Sequence, residues 1–122
     1  MSRIIVVDDD KTSTSLFEQV LLMYSYEVVT INDSARTIEA ATDFQPDLFI
    51  LDLMMPEPDG FKLCRMLRAH PLFKKTPIII VTALNDLDSR LVAMGAGAND
   101  YLVKPFHIDQ LFIMIEKQLN KS

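Results

Sequence analysis

The segment Leu48-Phe49-Ile50-Leu51-Asp52-Leu53-Met54-Met55-Pro56 places a carboxylate directly after four consecutive apolar residues. Short apolar runs followed by turn-forming residues are typical of strands that are buried on both faces of a parallel sheet. The same pattern occurs again in residues 4–7 before Asp8 and Asp9, residues 78–81 before Thr82, and residues 101–103 before Lys104. These four segments are therefore predicted to be strands of one sheet.

Segments with helical periodicity alternate with the strands, and a fifth strand is predicted at Glu27–Ile31. The first helix is expected to begin near Thr12 or Ser13. The inward stripes of the first and last helices are predicted to comprise Leu16, Phe17, Val20, Met23 and Tyr24, and Ile108, Leu111, Phe112, Ile115 and Leu119. This alternation favours an α/β fold. We predict a doubly wound, flavodoxin-like five-stranded parallel sheet of order 2-1-3-4-5 with helices on both faces.

Composition restricts the class of protein. At 122 residues the chain is expected to form a single domain, residues 1–122. No apolar run approaches the roughly 20 residues needed to span a bilayer, and no signal-peptide pattern precedes the first strand. We therefore expect a cytoplasmic protein without a membrane partner. The net charge of −5 argues against direct binding of nucleic acid. The single cysteine, Cys64, is expected to be half-buried and inert.

The polar residues that follow the strands are expected to share one cleft. Ligands of open α/β sheets bind outside the carboxyl ends of the strands, so side chains far apart in sequence meet there. The set provides three carboxylates, one hydroxyl and one ammonium, from Asp8, Asp9, Asp52, Thr82 and Lys104. This composition is typical of magnesium-assisted phosphoryl transfer. Because like charges at short range disfavour joint ionisation, the acids require a divalent cation or a nearby ammonium.

Each of these residues also has a simpler explanation. The aspartates at positions 8–10 could cap the following helix, and Thr82 could cap another. Lys104 could be an exposed residue at a strand end. Asp52 is harder to explain in this way because a loop with two prolines, and not a helix, follows it. The coincidence of all these residues at the same end of successive strands favours a functional site.

Four motifs resemble the receiver domain of two-component response regulators. They are Val6-Val7-Asp8-Asp9-Asp10, Asp52-Leu53-Met54-Met55-Pro56 with Asp59-Gly60, Val81-Thr82-Ala83, and Lys104-Pro105-Phe106. The motifs occur in the order of that family, and the resemblance covers essentially the whole chain. It implies the same sheet order that the connection rules favour.

The resemblance implies a phosphate acceptor and a metal site. Asp52 would be the acceptor, and Asp9 with Asp52 would bind Mg²⁺ (or Mn²⁺) directly. The backbone carbonyl of Met54 would be a third protein ligand, and Asp8 would act indirectly through a water or a hydrogen bond. These assignments agree with the chemistry, because phosphoryl transfer requires mainly positioning and charge neutralisation.

The resemblance also implies a switch. Thr82 and Lys104 would contact phosphoryl oxygens, and Tyr101 would be the aromatic residue that turns inward when the threonine moves. Phosphorylation adds about 1.5 to 2 negative charges, which should repack the surface of the fourth helix, fifth strand and last helix. Ile113 and Met114 on the last helix are candidates for exposure at a dimer or partner surface.

The implied partner is a sensor histidine kinase or a histidine phosphotransfer protein. The receiver would accept the phosphoryl group and would be both substrate and catalyst of the transfer. It would then control an attached output domain or a partner. A homodimer through the switched surface is one possible active assembly. Met54 and Leu84 are apolar at positions two beyond the acceptor and the threonine. Neither side chain can orient an attacking water, so we expect the acyl phosphate to last longer than in a variant with Asn at position 54.

Two other classes remain open from the residues alone. Asp8-Asp9-Asp10-Lys11-Thr12 also reads D-x-D-x-T, the nucleophile motif of haloacid-dehalogenase-type phosphohydrolases, in which Asp8 would be the nucleophile. However, no acidic pair follows a late lysine outside the last helix. A binding-only module of flavodoxin type would need a phosphate loop rich in glycine and hydroxyl groups after the first strand, which this sequence lacks.

Overall fold

Five parallel strands form the centre of the computed structural model, which describes residues 1–120. The strands are β1 (Arg3–Val7), β2 (Glu27–Ile31), β3 (Leu48–Leu51), β4 (Ile78–Thr82) and β5 (Asp100–Val103). The helices are α1 (Lys11–Met23), α2 (Thr37–Phe44), α3 (Gly60–Ala69), α4 (Leu87–Gly95) and α5 (Ile108–Leu119), with a 3₁₀ turn at Ser34–Arg36 before α2. Residues 121 and 122 of the predicted domain lie outside the described part.

The sheet order is β2-β1-β3-β4-β5, and every neighbouring pair is parallel. The predicted fold class and strand order are therefore confirmed. Because all five strands run in one direction, their carboxyl ends lie at one edge of the sheet, where the loops to the five helices begin. Within residues 1–120, none of the helices is both long enough and apolar enough to span a bilayer.

Alternate residues of the strands enter two separate cores. Ile5 and Val7 of β1 belong to the core that α2, α3 and α4 cover, whereas Ile4 and Val6 belong to the core that α1 and α5 cover. The side chains of a strand alternate between the two faces of the sheet, so a strand covered on both faces must be apolar throughout. This is the physical reason for the continuous apolar runs in the sequence.

The start of α1 differs from the prediction. The helix is capped by Asp10, whose side chain accepts a hydrogen bond from the backbone N–H of Thr12 at 2.9 Å, and not by Thr12 or Ser13. Aspartate caps a helix as well as serine or threonine does, so the candidates Asp10, Thr12 and Ser13 could not be separated by sequence. The capping explanation of the acidic triplet thus holds for Asp10.

The predicted inward stripe of α1 is largely wrong. Phe17 is buried as predicted, but its buried neighbours are Thr14 and Leu21. Val20 is half-buried, and the other predicted members are exposed: Leu16, Met23 and Tyr24. Apolar residues occupy more than one face of this helix, so periodicity alone did not fix its rotation about the axis.

Two further predictions need smaller corrections. In α5, Leu111 and Ile115 are buried as predicted, but Ile108 is 47% exposed and Gln118 is buried. Cys64 was expected to be half-buried, but it is fully buried in α3. Burial raises the pKa of its thiol, with Arg68 and Arg65 opposing the effect. This agrees with the expected inertness, because the thiolate is the reactive form.

Candidate functional site

The turn between β1 and α1 separates the three aspartates. Asp8 is only 3% exposed, and its Oδ1 accepts a hydrogen bond from the backbone N–H of Asp10 at 3.0 Å. Asp9 is exposed. The backbone N–H of Asp8 donates to the carbonyl of Ile31 at 3.1 Å, which continues the pairing of β1 with β2 into the turn. The Asp8 carboxylate is thereby fixed at the edge of the sheet.

Lys104 joins the carboxyl ends of three strands. Its Nζ lies 3.0 Å from Asp8 Oδ2 and 3.1 Å from Asp52 Oδ2, and it is 3.4 Å from Ser13 Oγ. Its backbone N–H donates to the carbonyl of Thr82 at 2.8 Å. The following peptide bond, Lys104–Pro105, is cis. The predicted convergence of Asp8, Asp52 and Lys104 is therefore confirmed.

The ammonium of Lys104 is held in its charged form. Burial by itself would lower its pKa, but the hydrogen bond to Asp8 and the charge of Asp52 outweigh burial and raise the pKa above the ordinary value. The side chain of Asp52 is 11% exposed, so solvent and a small ligand still reach it. Two acidic side chains thus share a single ammonium.

Asp9 is not part of this hydrogen-bonded group. Among residues 1–120, no three histidine, cysteine or acidic side chains are already gathered as a set of metal ligands. Mg²⁺ does not require such a set, because it usually keeps several waters and binds one or two carboxylates together with phosphate oxygens. Carboxylate oxygens that outnumber their ammonium partner, beside the exposed Asp9, fit a hydrated Mg²⁺ ion.

The loop between β3 and α3 folds back onto Asp52. Asp52 Oδ1 accepts a hydrogen bond from the backbone N–H of Met54 at 3.1 Å, and the N–H of Gly60 donates to the carbonyl of Leu53 at 3.0 Å. A Cβ atom at position 60 would lie 2.1 Å from the backbone oxygen of Asp52. Only glycine permits this approach, so the loop is closed tightly beneath the carboxylate.

Thr82 and Tyr101 contact the same residue of the loop after β4. Thr82 is fully buried, and its Oγ1 accepts from the backbone N–H of Leu84 at 3.4 Å, while the Tyr101 hydroxyl donates to the Leu84 carbonyl at 2.8 Å. The Tyr101 ring is already buried, with 4% exposure, in the position that was expected to follow movement of the threonine, and the Arg90 guanidinium lies over it. Burial raises the pKa of its phenol, and the charge of Asp86 adds to this rise, which Arg90 partly offsets.

Three polar residues near the site carried no sequence signal of a role at the site. Ser13 lies beside the Lys104 ammonium. Asn32 and Ser34, on the turn between β2 and α2, donate hydrogen bonds to the two loops that carry the acids. Serine and asparagine are ordinary turn and capping residues, and their partners lie more than 20 positions away or on another element. Only the folded chain reveals these contacts.

An apolar groove borders the site. It has a volume of about 400 Å³ and lies between α1 and the segment that joins β5 to α5. Its lining includes Leu16, Val20, Phe106 and Ile108, and it ends at Ser13 and Lys104. The exposed outer face of α1 therefore has an immediate neighbour in the loop that carries the lysine.

Known proteins match this chain along nearly its whole length. The response regulator receiver domain family matches residues 4–116. The DNA-binding dual master transcriptional regulator RpaA of Synechocystis sp. is 34% identical over 122 residues, which is 100% of this chain and 51% of that protein. The chain spans about half the length of the first curated relatives that it matches.

Solved receiver domains share the fold. The BeF3-activated N-terminal receiver domain of Klebsiella pneumoniae RstA superposes with a TM-score of 0.92 at 29% identity, over 98% of this chain and 99% of that one. The receiver domain of the sensor histidine kinase PA1611 from Pseudomonas aeruginosa PAO1 has a TM-score of 0.90 at 28% identity, over 98% of both chains, and holds a magnesium ion in its active site cleft. The chain thus belongs to the response regulator receiver domains of two-component signalling.

Proposed function

We propose that Asp52 accepts a phosphoryl group from a histidine of a sensor kinase or of a histidine phosphotransfer protein. The observation that carries this proposal is the position of Lys104, whose Nζ contacts the carboxylates of both Asp8 and Asp52 at the carboxyl edge of the sheet. A fixed ammonium beside a partly exposed carboxylate is suited to stabilising charge on a transferred phosphoryl group. The protein would be both substrate and catalyst of this step.

The transfer exchanges one bond to phosphorus for another. A carboxylate oxygen of Asp52 attacks the phosphorus, the bond between the donor imidazole nitrogen and phosphorus breaks, and an acyl phosphate forms. The imidazole keeps the electron pair of that bond and takes a proton from water. Lys104 then has a phosphoryl oxygen as a new acceptor in place of the Asp52 oxygen.

The metal would be held by the residues that follow β1 and β3. Asp9, Asp52 and the backbone carbonyl of Met54 would be its protein ligands, and Asp8 would act through a water. When bound, Mg²⁺ or Mn²⁺ neutralises charge on the phosphoryl oxygens. The magnesium ion in the active site cleft of the related PA1611 receiver supports a metal at this site.

Thr82 and Tyr101 would carry the switch. A phosphoryl group on Asp52 would give the Thr82 hydroxyl a charged acceptor, and that bond would be stronger than the 3.4 Å bond that Thr82 Oγ1 now accepts from the N–H of Leu84. Movement of Thr82 would shift Leu84, and Tyr101 is bonded to the carbonyl of that residue. The change would therefore reach α4 and β5 as a shift between two packings.

The surface that would respond is apolar enough to bind a partner. Helix α4 exposes four large apolar side chains, Leu87, Leu91, Val92 and Met94, and Ile113 of α5 is 65% exposed, whereas Met114 is half-buried. We propose that α4, β5 and α5 bind a second copy or an output domain. The apolar groove would receive the phosphoryl donor, because it ends at Lys104, whose ammonium contacts Asp52.

Labelling with a small-molecule donor tests the function. Incubation with acetyl phosphate and Mg²⁺ should add one phosphoryl group, which peptide mass spectrometry should map to Asp52. Asp52→Asn and addition of a chelator should abolish labelling, whereas Asp43→Asn, a change of an exposed aspartate on α2, should leave it unchanged. Labelling that persists in Asp52→Asn would overturn the proposal.

The same experiment separates the phosphohydrolase alternative. That alternative needs Asp8 as the nucleophile, so the label would then map to Asp8. The family match does not support it. In addition, the Asp8 carboxylate is 3% exposed and bonded to both Lys104 and the Asp10 backbone, which leaves it poorly placed to attack a substrate.

A further inference from the structure

The turn between β2 and α2 contacts both loops that carry the acids. Its residues Asn32 and Ser34, which we call the brace, each donate hydrogen bonds to a different loop. Asn32 contacts the turn after β1, and Ser34 contacts the loop after β3. Strand β2 is at the edge of the sheet and supplies no acid to the site. The brace therefore contacts the loops that position the proposed metal ligands, and not the metal site directly.

Ser34 holds the loop after Asp52 at two points. Its hydroxyl lies 2.7 Å from the carbonyl oxygen of Pro58 and 3.1 Å from that of Pro56, and the residue is 6% exposed. One hydroxyl hydrogen is shared between, or alternates between, these two acceptors. Both prolines lack a backbone N–H, so the loop cannot build its own hydrogen-bond ladder there. The loop therefore has few donors of its own, and Ser34 supplies one from outside it.

Asn32 performs the same task for the other loop. Its Nδ2 donates to the backbone carbonyl of Asp8 at 2.9 Å and to Thr14 Oγ1 at 2.9 Å. The two bonds tie the residue that carries the first buried carboxylate to the first turns of α1. The side chain of Asn32 is half-buried, so water competes only weakly for these bonds.

From this arrangement we infer that Asn32 and Ser34 are positioning residues for the metal and for phosphoryl acceptance at Asp52. This inference rests on the proposed function. Hydrogen bonds to the groups behind metal ligands fix their orientation, and loss of such a bond typically weakens metal binding. Ser34 is the sharper test because its two acceptors lie in the same loop as Met54 and Asp52, the proposed ligands.

Ser34→Ala should weaken Mg²⁺ binding about three- to tenfold, within or just below the range seen for lost outer hydrogen bonds. The measurement is an NMR titration of backbone amide shifts with Mg²⁺ alone, with no phosphodonor present. Ser34→Thr retains the hydroxyl and should keep the affinity within about twofold, since the hydrogen bond is what matters. Thr37→Val is the matched control, because Thr37 Oγ1 is fully buried without a hydrogen-bond partner among the described residues.

A second measurement works without metal. Ser34→Ala should speed hydrogen exchange of the Gly60 amide, which closes the same loop onto Leu53, whereas Thr37→Val should not. If Ser34→Ala does not fold, Ser34→Cys, which has similar volume and a weak donor, makes the same comparison. Unchanged Mg²⁺ affinity and unchanged Gly60 exchange in a folded variant overturn the inference. Absence of Mg²⁺ binding by the unaltered protein overturns the proposed function instead, and the exchange measurement then decides alone whether Ser34 holds the loop.

Discussion

A single atom at position 60 decides whether the loop beneath Asp52 closes. The Cβ of an alanine there would lie 2.1 Å from the Asp52 oxygen and 2.6 Å from Leu53 Cα, and both are backbone atoms that cannot move aside cheaply. We expect Gly60→Ala to lower the free energy of unfolding by more than about 3 kcal/mol. Urea unfolding followed by circular dichroism measures this loss.

Gly95 provides the matched control for this prediction. It is the last residue of α4, and an added Cβ would meet no atom within 4 Å. Gly95→Ala should therefore raise the free energy of unfolding by about 0.5–1 kcal/mol, because alanine restricts the unfolded chain and favours the helix. Equal effects of the two substitutions would contradict the role assigned to the contact at position 60.

Met54 is predicted to prolong the acyl phosphate. Its side chain is 59% exposed directly beyond Asp52, and a thioether is at best a weak acceptor that does not hold an attacking water well. Met54→Asn places an amide there, and we expect the half-life of phosphorylated protein to fall about threefold or more, the effect of roughly one new hydrogen bond in the transition state. Decay of the labelled protein on Phos-tag gels gives the half-life. A half-life equal to or longer than that of the unaltered protein would refute the prediction.

Individual site residues were predictable where strand ends dictated their place. Asp8, Asp52 and Lys104 follow buried strands, so their meeting required only the parallel sheet. Ser34 and Asn32 act through side-chain bonds to distant backbone, and no local pattern encodes such partners. Asp9 was expected to be a direct ligand, and this assignment stays a prediction.

At the scale of elements, α1 shows why the predicted core failed while the predicted helix was correct. Periodicity identifies a helix because several residues at the right spacing are apolar, but α1 has apolar residues on two faces. The side that packs on the sheet is chosen by shape and by the neighbouring α5. The other side of α1 lines the groove beside Lys104, so apolar residues of α1 that do not enter the core lie on the surface there.

Arg68 joins α3 to the loops at the opposite edge of the sheet. Its guanidinium donates to the backbone carbonyls of Gly97, Phe73 and Thr76 and to Asn99 Oδ1, over distances of 2.7 to 3.0 Å. All four acceptors are neutral, and burial lowers the pKa of the guanidinium. The charge is therefore solvated by the protein, and its removal would leave several carbonyls without donors.

Arg68→Met should lower the free energy of unfolding by about 2–4 kcal/mol, because several charge-assisted hydrogen bonds are lost together. Arg65→Met is the control on the same helix. Arg65 is exposed, so its replacement should change stability by no more than about 0.5 kcal/mol. Both values come from urea titrations at one pH. Similar stabilities of the two variants would show that the Arg68 contacts contribute little.

At the scale of the whole molecule, connection rules narrowed the possible strand orders to a few, and the order predicted among them is the one observed. Five β–helix units with short loops leave few topologies, and the observed β2-β1-β3-β4-β5 order is one of them. Asp8 and Asp52 lie 96 and 52 positions before Lys104. The three residues meet because that order places the carboxyl ends of their strands at one edge of the sheet. The positions of α1 and of the brace depend on packing details that these rules do not contain.

Protonation also acts on the whole molecule, and Cys64, Tyr101 and Lys104 are among the groups that set its response to alkali. The pKa values of Cys64 and Tyr101 are raised mainly by burial, and that of Lys104 is raised because its bonds to Asp8 and Asp52 outweigh burial. A raised pKa in the folded state means that the stabilisation is complete below the ordinary pKa of the group and is lost as pH rises through the folded-state value. The free energy of unfolding should therefore stay level from neutral pH and fall above about pH 9, by up to about 1.4 kcal/mol per pH unit for each group that titrates.

Cys64 has the lowest ordinary pKa of the three, so Cys64→Ala should be less stable at neutral pH but should begin its decline at a higher pH. Urea titrations between pH 7 and about pH 10.5 measure both curves, and parallel declines of the two proteins would exclude Cys64 as the first group to respond.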